Sequence, residues 1–414
     1  MSLAALSVAA LVLAIIVSCV TSMNVGVLAI ALAWIVGVYV GGQPVATVMS
    51  GFPSQLLLTL GGVTLLFTMA QSNGTLDRIA HHAVRSCRGN RGVLPIMFFL
   101  LAAALASMGP GNIATAAIVA PMAMSTAGRV GIPMFLMAIM VGNGANAGSL
   151  SPFAPTGIVV NGIMERIGMP GNEWLTYAYN LLVHATVAFG GYFAFGGWKL
   201  FAASGVAQAD GGTAADAAIE SRHWVTLGVI AALIVGVVAF NVNIGMGAFA
   251  GAVLLVLLRC ADDRDAIKKM PWNVIMMVCG VTVLITLLEK SAGIDLIVSQ
   301  ITSIATRETL TPALAFVTGL VSVYSSTSGV VLPAFLPMVP RLTAALGLDP
   351  FALASTLNVS AHLVDVSPLS TIGALCLAGA PAGKDPALFN KLLAWGLSMT
   401  VVGALFCYLF FGVR

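Results

Sequence analysis

A chain of 414 residues that is 59% hydrophobic and only 8% charged, with net charge +3 and mean hydropathy +1.01, is too poor in charge for a soluble globular protein, where about 25% is ordinary. These values specify a polytopic protein embedded in a lipid bilayer, and they exclude a soluble catalytic domain or a nucleic-acid surface. The six cysteines are scattered without a CxxC or a His/Cys cluster, so no disulfide framework, metal site or other cofactor is indicated.

The opening MSLAALSVAALVLAIIVSCV lacks a basic leader region and a cleavage site, which predicts a first transmembrane helix near 3–20. Further apolar helices are predicted near 24–41, 54–71, 173–198, 223–240, 244–259, 271–289 and 387–412. His81, His82, Arg85 and Arg88 predict the polar face of an interfacial helix. Four longer uncharged zones, near 92–128, 130–164, 309–340 and 342–380, are each interrupted inside. The Gly/Ala-rich stretch FAASGVAQADGGTAADAAIESRHW reads as a cytoplasmic linker over 203–221, dividing the chain into 1–202 and 222–414.

The two parts repeat. GVTLLFTMAQSNGTLDRI (62–79) matches GVTVLITLLEKSAGIDLI (280–297) at an offset of 280 − 62 = 218. Pro121-Met122 matches Pro337-Met338 and Ser151-Pro152 matches Ser367-Pro368, both at 216 (337 − 121). Residues 93–106 and 113–128 are each short for a crossing of about 30 Å, so Gly-Pro-Gly-Asn between them predicts a re-entrant hairpin. YSSTSG (324–329) is the corresponding tip in the second half. The predicted fold is all-α: two repeats, each with three spans, a hairpin, an interrupted span and a final span. Five crossings per repeat is an odd number, so the repeats have inverted topology.

Charge tests this arrangement. With the Arg78, Arg85, Arg88 and Arg91 loop in the cytoplasm, 13 of the 18 basic residues fall inside, including Arg129, Arg259 and Lys269. The five outside are Arg166, Lys290, Arg307, Arg341 and Arg414, which obeys the positive-inside rule and leaves both termini extracytoplasmic.

Irregular backbone at membrane depth is tolerated where it is buried in protein or lines a polar cavity. Four such breaks are predicted: Gly109–Asn112, GNGANAGSLSP (142–152), Tyr324–Gly329 and NVSAHLVDVSP (358–368). Helix ends exposed at a break present unpaired N–H groups that suit an anion, and their carbonyl and hydroxyl counterparts suit a small cation. Asn112, Asn143, Asn146, Ser149, Ser326, Thr327 and Ser328 are the polar residues expected to line one site. No Lys or Arg lies within the breaks, so the anion is expected on neutral donors with a co-bound ion supplying positive charge. His362 and Asp365 are the ionisable exceptions and candidates for ion coupling; for His362 a neutral ring satisfying a carbonyl is the competing reading. His184, mid-helix among apolar residues, reads as structural.

At these residues the sequence resembles the ion transporter superfamily, specifically the divalent-anion:sodium symporters and the malonate/dicarboxylate carriers of the MatC type. GNIATAAIVAP (111–121) is similar to that family's first hairpin tip, keeping Asn112, Thr115 and Pro121, with Gly111 and Ile113 where the family has Ser and Thr. Thr327-Ser328-Gly329 stands at the second tip, and SLSPFAPTG (149–157) and DVSPLSTIG (365–373) resemble the family's Thr-Pro loops. The resemblance implies an elevator-type carrier of small dicarboxylates, usually a homodimer of the bacterial inner membrane. The scaffold would be about 1–80 and 222–297, and the transport part about 92–200 and 309–414. It also implies that Thr115, Ser151, Pro152, Thr156, Ser367, Pro368 and Thr371 join the substrate site. Gly111, Asn112, Asn146, Ser149, Thr327, Ser328, His362 and Asp365 would couple a sodium ion or a proton. Three alternatives remain: a cation/proton antiporter or anion exporter of the same architecture, an intramembrane enzyme using Ser326 or Ser328 with His362, and a passive channel.

Overall fold

The computed structural model describes residues 2–21, 23–86, 90–201, 219–381, 383 and 385–412, with backbone alone for 83–86. Most of the 203–221 linker, together with Arg88, Lys384 and Arg414 of the charge count, lies outside the described residues.

Among the described residues every regular element is helical. The first half runs α1 (Leu3–Val20), α2 (Val25–Trp34, continued by π-helical turns over Ile35–Val40), α3 (Val45–Met49), α4 (Ser54–Ser72), α5 (Thr75–Ser86), α6 (Val93–Met108), α7 (Gly111–Val130), α8 (Met134–Gly148), α9 (Pro155–Arg166) and α10 (Glu173–Ala194). The second half runs α11 (Ser221–Phe240), α12 (Ile244–Leu257), α13 (Asp263–Lys269), α14 (Trp272–Lys290), α15 (Gly293–Ile304), α16 (Arg307–Tyr324), α17 (Leu332–Phe335), α18 (Val339–Leu346), α19 (Pro350–Leu363), α20 (Thr371–Gly379) and α21 (Leu388–Phe411). Eight helical segments among the described residues are long and apolar enough to cross a bilayer. Their outer faces stay apolar: Val20, Phe240 and Leu257 are each more than two-thirds exposed, where lipid rather than water is the compatible solvent.

Local chemistry sets the ends. Asn24 caps α2 through Gly26 N–H (3.0 Å), and Asn243 caps α12 through Met246 N–H (3.1 Å). Left-handed Gly131 and Gly347 close α7 and α18 (φ 73° and 66°). The interfacial helix expected around His81 is α5, which buries Leu76 and Ala80 and exposes both His81 and His82.

Helix starts recur at two offsets. α1, α4 and α5 begin 218 residues before α11, α14 and α15 (221 − 3, 272 − 54, 293 − 75). α7, α8 and α9 begin 216 before the Thr327 turn, α19 and α20 (327 − 111, 350 − 134, 371 − 155). Packing between the halves follows the same register. α2 crosses α14 where Gly26 meets Gly280, and α12 crosses α4 where Gly245 meets Gly62. A Cβ on Gly280 would overlap the Gly26 backbone, and one on Gly62 the Gly245 carbonyl, so only glycine lets these axes approach so closely. Gly280→Ala is therefore expected to destabilise the protein by about 1–3 kcal/mol, the range for overpacking a filled contact. Gly190→Ala, with open space around its Cβ, is the control. A lowered melting temperature in detergent for Gly280→Ala alone is the expected result, and equal melting of both variants refutes the packing argument.

Two expectations need correction. α7 has 20 residues and the stretch Thr327–Leu346 also has 20, so these hairpin arms are not short: about 30 Å at 1.5 Å per residue. The breaks expected over 142–152 and 358–368 are also narrower. α8 stays helical to Gly148 and α19 to Leu363, leaving breaks at 149–154 and 364–370. The glycines of GNGANAG are packing positions instead: Gly144 lies against the Phe99 carbonyl and Gly148 against that of Ala103, which lets α8 sit tightly on α6.

Candidate functional site

Two helical hairpins and two helix breaks meet in the interior. The first tip, Gly109-Pro110, turns α6 into α7 with φ +140° at Gly109 and +75° at Gly111, conformations that L side chains resist. A Cβ on Gly109 would collide with the Phe67 ring, so this tip is seated against α4. The second tip leaves α16 in extended form. Ser326 Oγ then accepts from Gly329 N–H (3.1 Å), and π-helical turns over Thr327–Val331 follow. π-helical turns often occur at functional positions.

The breaks are held by short hydroxyl side chains. Ser149 Oγ donates to the Asn146 carbonyl (2.7 Å), and Ser370 Oγ donates to the Asp365 carbonyl. Gly157 abuts the Ser151 carbonyl just as Gly373 abuts that of Ser367, 216 residues on (373 − 157).

A cavity of about 550 Å³, within the ~300–1,000 Å³ of small-molecule clefts, is lined by Asn112, Ser326, Thr327, Ser328, His362, Asp365 and Thr371. A smaller one of about 170 Å³ shares Asn112 and Ser328 with it and adds Gly111, Thr156, Gln71 and Lys269. Asn112 bridges the parts: its Nδ2 donates to Asn146 Oδ1 (3.0 Å) and its Oδ1 accepts from Ile113 N–H (3.0 Å). Asn146 in turn approaches the His362 carbonyl (3.4 Å), tying α8 to α19. Asp365 is nine-tenths buried, and its Oδ1 accepts from Thr327 Oγ1 (2.8 Å). Among the described residues no cationic side chain pairs with it.

Other expected residues lie outside these two cavities. Thr115 is buried with its Oγ1 unpartnered by protein. Asn143 turns toward His184 (2.9 Å). Ser151 Oγ donates to the Ser107 carbonyl (2.7 Å), and Ser367 Oγ accepts from Leu369 N–H (3.3 Å). Pro368 is buried within the second break. Pro152 lines a third cavity of about 640 Å³, beside Thr59 and Glu165.

Sequence reasoning missed the contributions of the other helices. Ser18 and Thr21, at the end of α1, line the main cavity, and Ser18 Oγ bonds Ser325 Oγ (2.6 Å). Lys269, ion-paired to Asp265 (2.6 Å), brings a cation to the smaller cavity from more than 100 residues beyond the nearest first-half break. A lone hydroxyl in the apolar run IIVSCV was the available signal for Ser18; none marked Lys269.

The main cavity gathers helix starts. The N-termini of α7 and α20 and the turn at Thr327 all open on it through Asn112, Thr371 and Thr327. The first N–H groups of a helix have no intrahelical acceptor, and they carry partial positive charge.

The described residues form a helical membrane protein with a polar cavity between broken helices, and the comparisons with known proteins place it among membrane transporters. Residues 1–149 match the family described as "Dicarboxylate carrier protein MatC N-terminus", the family that the hairpin and loop motifs resemble. Over 392 residues the chain is 22% identical to a protein of Mycobacterium tuberculosis strain CDC 1551 / Oshkosh named as an uncharacterized transporter, covering 88% of this chain and 87% of that one. A protein of strain ATCC 25618 / H37Rv, also named as an uncharacterized transporter, matches with the same identity and coverage.

Proposed function

We propose that this protein is a secondary active carrier of small dicarboxylates, malonate or C4 acids, driven by sodium ions or protons. The observation that carries this reading is the convergence of the start of α7 and the second hairpin tip with Asp365 and Thr371 on one cavity. That cavity offers an anion neutral donors and an ion a single carboxylate. The MatC match over residues 1–149 supports the substrate class.

On this reading the halves are inverted repeats, with both hairpins re-entrant from opposite faces. The recurrent helix starts and the paired glycine crossings support it. α1–α5 and α11–α15 form the scaffold, while the hairpins and later helices carry substrate by an elevator motion. The protein functions as a homodimer through scaffold helices in the bacterial inner membrane, with both termini extracytoplasmic.

The deciding experiment is uptake of radiolabelled malonate and succinate into proteoliposomes under an imposed sodium or pH gradient. Saturable, gradient-driven accumulation above protein-free vesicles is expected. Absence of gradient-driven uptake of either acid, with the protein incorporated and folded, rejects the proposal.

A further inference from the structure

Behind the main cavity, α8, α10 and α19 pack on one another, and their shared interior is polar. Asn180 and His184 lie one turn apart on α10, and Asn358 and His362 one turn apart on α19; all four are at most 1% exposed.

The hydrogen bonds fix both imidazole tautomers. Asn143 Nδ2 donates to the Ile139 carbonyl (2.8 Å), so its Oδ1 is the atom facing His184 Nδ1 (2.9 Å), and that nitrogen carries the hydrogen. His362 Nδ1 faces the Asn358 carbonyl (2.7 Å), which only accepts, so it too carries a hydrogen. Each ring therefore holds its Nε2 lone pair inward, and neither Nε2 has a protein partner. Asn180 Nδ2 donates to the Asn146 carbonyl (2.7 Å), while its Oδ1 is likewise unpartnered. Asn358 Oδ1 and Nδ2 are unpartnered too, so four enclosed acceptors face a single unpartnered donor group, whereas buried polar atoms are normally paired. With one donor group for four acceptors, the cluster is short of hydrogens. A hard cation such as sodium prefers oxygen ligands to imidazole nitrogen.

We propose that His184 and His362 form a buried proton-holding pair behind the substrate cavity, loaded through His362, and that the proton is the ion this carrier couples. The coupling half rests on the transport reading above; the proton site does not. His362 lines the cavity and so gives the pair its entrance. α10 and α19 pack on one another, so charge on one ring disfavours charge on the other.

Asp365, three residues after His362 and on the same cavity, is the carboxylate that offsets the added charge. The other elements packed on α10 and α19 leave the pair to it. α8, α17 and the Thr327 turns carry no titratable side chain. α9 places Glu165 and Arg166 on the third cavity, and α16 has Arg307 and Glu308 at its far end and Tyr324 on the cavity. Arg341 of α18 is paired with Asp295 and Lys391 of α21 with Asp385; Cys407 of α21 meets the Thr356 carbonyl, with Tyr408 beside it in sequence. Lys199 stacks over Trp198. On α10 itself Glu173 is at the helix start, Tyr177 bonds Ser107, Tyr179 stacks on Phe351 and Tyr192 donates to the Gly92 carbonyl.

The chain has five histidines, few enough for direct observation by NMR of histidine-labelled full-length protein in nanodiscs, with His184→Gln and His362→Gln assigning the signals. The His184 and His362 ring nitrogens are expected to change together as the pH is lowered from 8 to 4, and His362→Gln to shift the His184 titration. A His184 signal fixed as the neutral Nδ1–H tautomer across that range overturns the proposal. In proteoliposomes holding a pH-sensitive dye, His184→Gln is expected to lower protons carried per malonate at least fivefold. An unchanged ratio overturns the coupling half. If wild-type protein moves no dicarboxylate while His184 titrates, the transport reading falls and the proton site stands.

Discussion

Asp365→Asn is expected to abolish accumulation of substrate against a gradient, by tenfold or more, while exchange of labelled for unlabelled substrate continues. The carboxylate is nine-tenths buried and shares its cavity with the proposed anion site. Two unit negative charges 4 Å apart repel by about 4 kcal/mol at an effective dielectric of 20. A dianion therefore enters readily only when Asp365 is neutralised, which makes the binding of ion and substrate mutually dependent. The competing role is a carboxylate permanently satisfied by its neighbours. Thr327 is the side chain bonded to it, and a hydroxyl has one hydrogen to give. Thr327 Oγ1 lies closer to Asp365 Oδ1 (2.8 Å) than to the Ala361 carbonyl (3.3 Å), and it also bonds Ser322 Oγ, which can supply or take a hydrogen. Asparagine keeps the shape and removes the titratable charge. If Asp365→Asn accumulates substrate with unchanged sodium and pH dependence, the residue is structural.

Asn112→Ala is expected to cut kcat/KM for uptake at least tenfold without unfolding the protein. The side chain lines both cavities and satisfies Asn146 Oδ1, which is fully buried. Leaving such an acceptor unpaired costs ~1–3 kcal/mol, and 1.4 kcal/mol is a factor of ten. The loss falls on the tip and on the α8–α19 link together, because Asn146 also approaches the His362 carbonyl. Wild-type kinetics at normal expression would remove Asn112 from the site.

The spans were readable because lipid imposes length and hydropathy on a sequence; the predicted helix over 54–71 is α4 at Ser54–Ser72, and 387–412 is α21 at Leu388–Phe411. The first hairpin tip was readable because Gly109-Pro110 disfavours an unbroken helix, and the chain turns there. The breaks were misjudged where glycine has two uses. In GNGANAG it admits a neighbouring backbone, and no local feature separates that from helix breaking. Which polar residues face the cavity was only partly readable. Asn143 and Asn146 stand three apart on α8, yet one serves His184 and the other Asn112, a choice made by α10 and α7. Ser18 and Lys269 reach the cavities through contacts of long sequence separation, which periodicity does not encode.

The glycine crossings also bear on how the protein is made. α4 of the first half closes on α12 of the second, and α2 on α14. The separation of 172 residues from Ser72 to Ile244 (244 − 72) takes about 9–34 s to synthesise at ~5–20 residues per second. Throughout that interval the Gly62 face of α4 sits in lipid without its mate. α6, α7, α8 and α10 have one another to pack on in that interval, but α4 must persist in the bilayer with this face unmatched until α12 leaves the ribosome. Assembly of this fold is in that sense a late event, gated by the arrival of α12 and then α14 rather than by the insertion of any single helix.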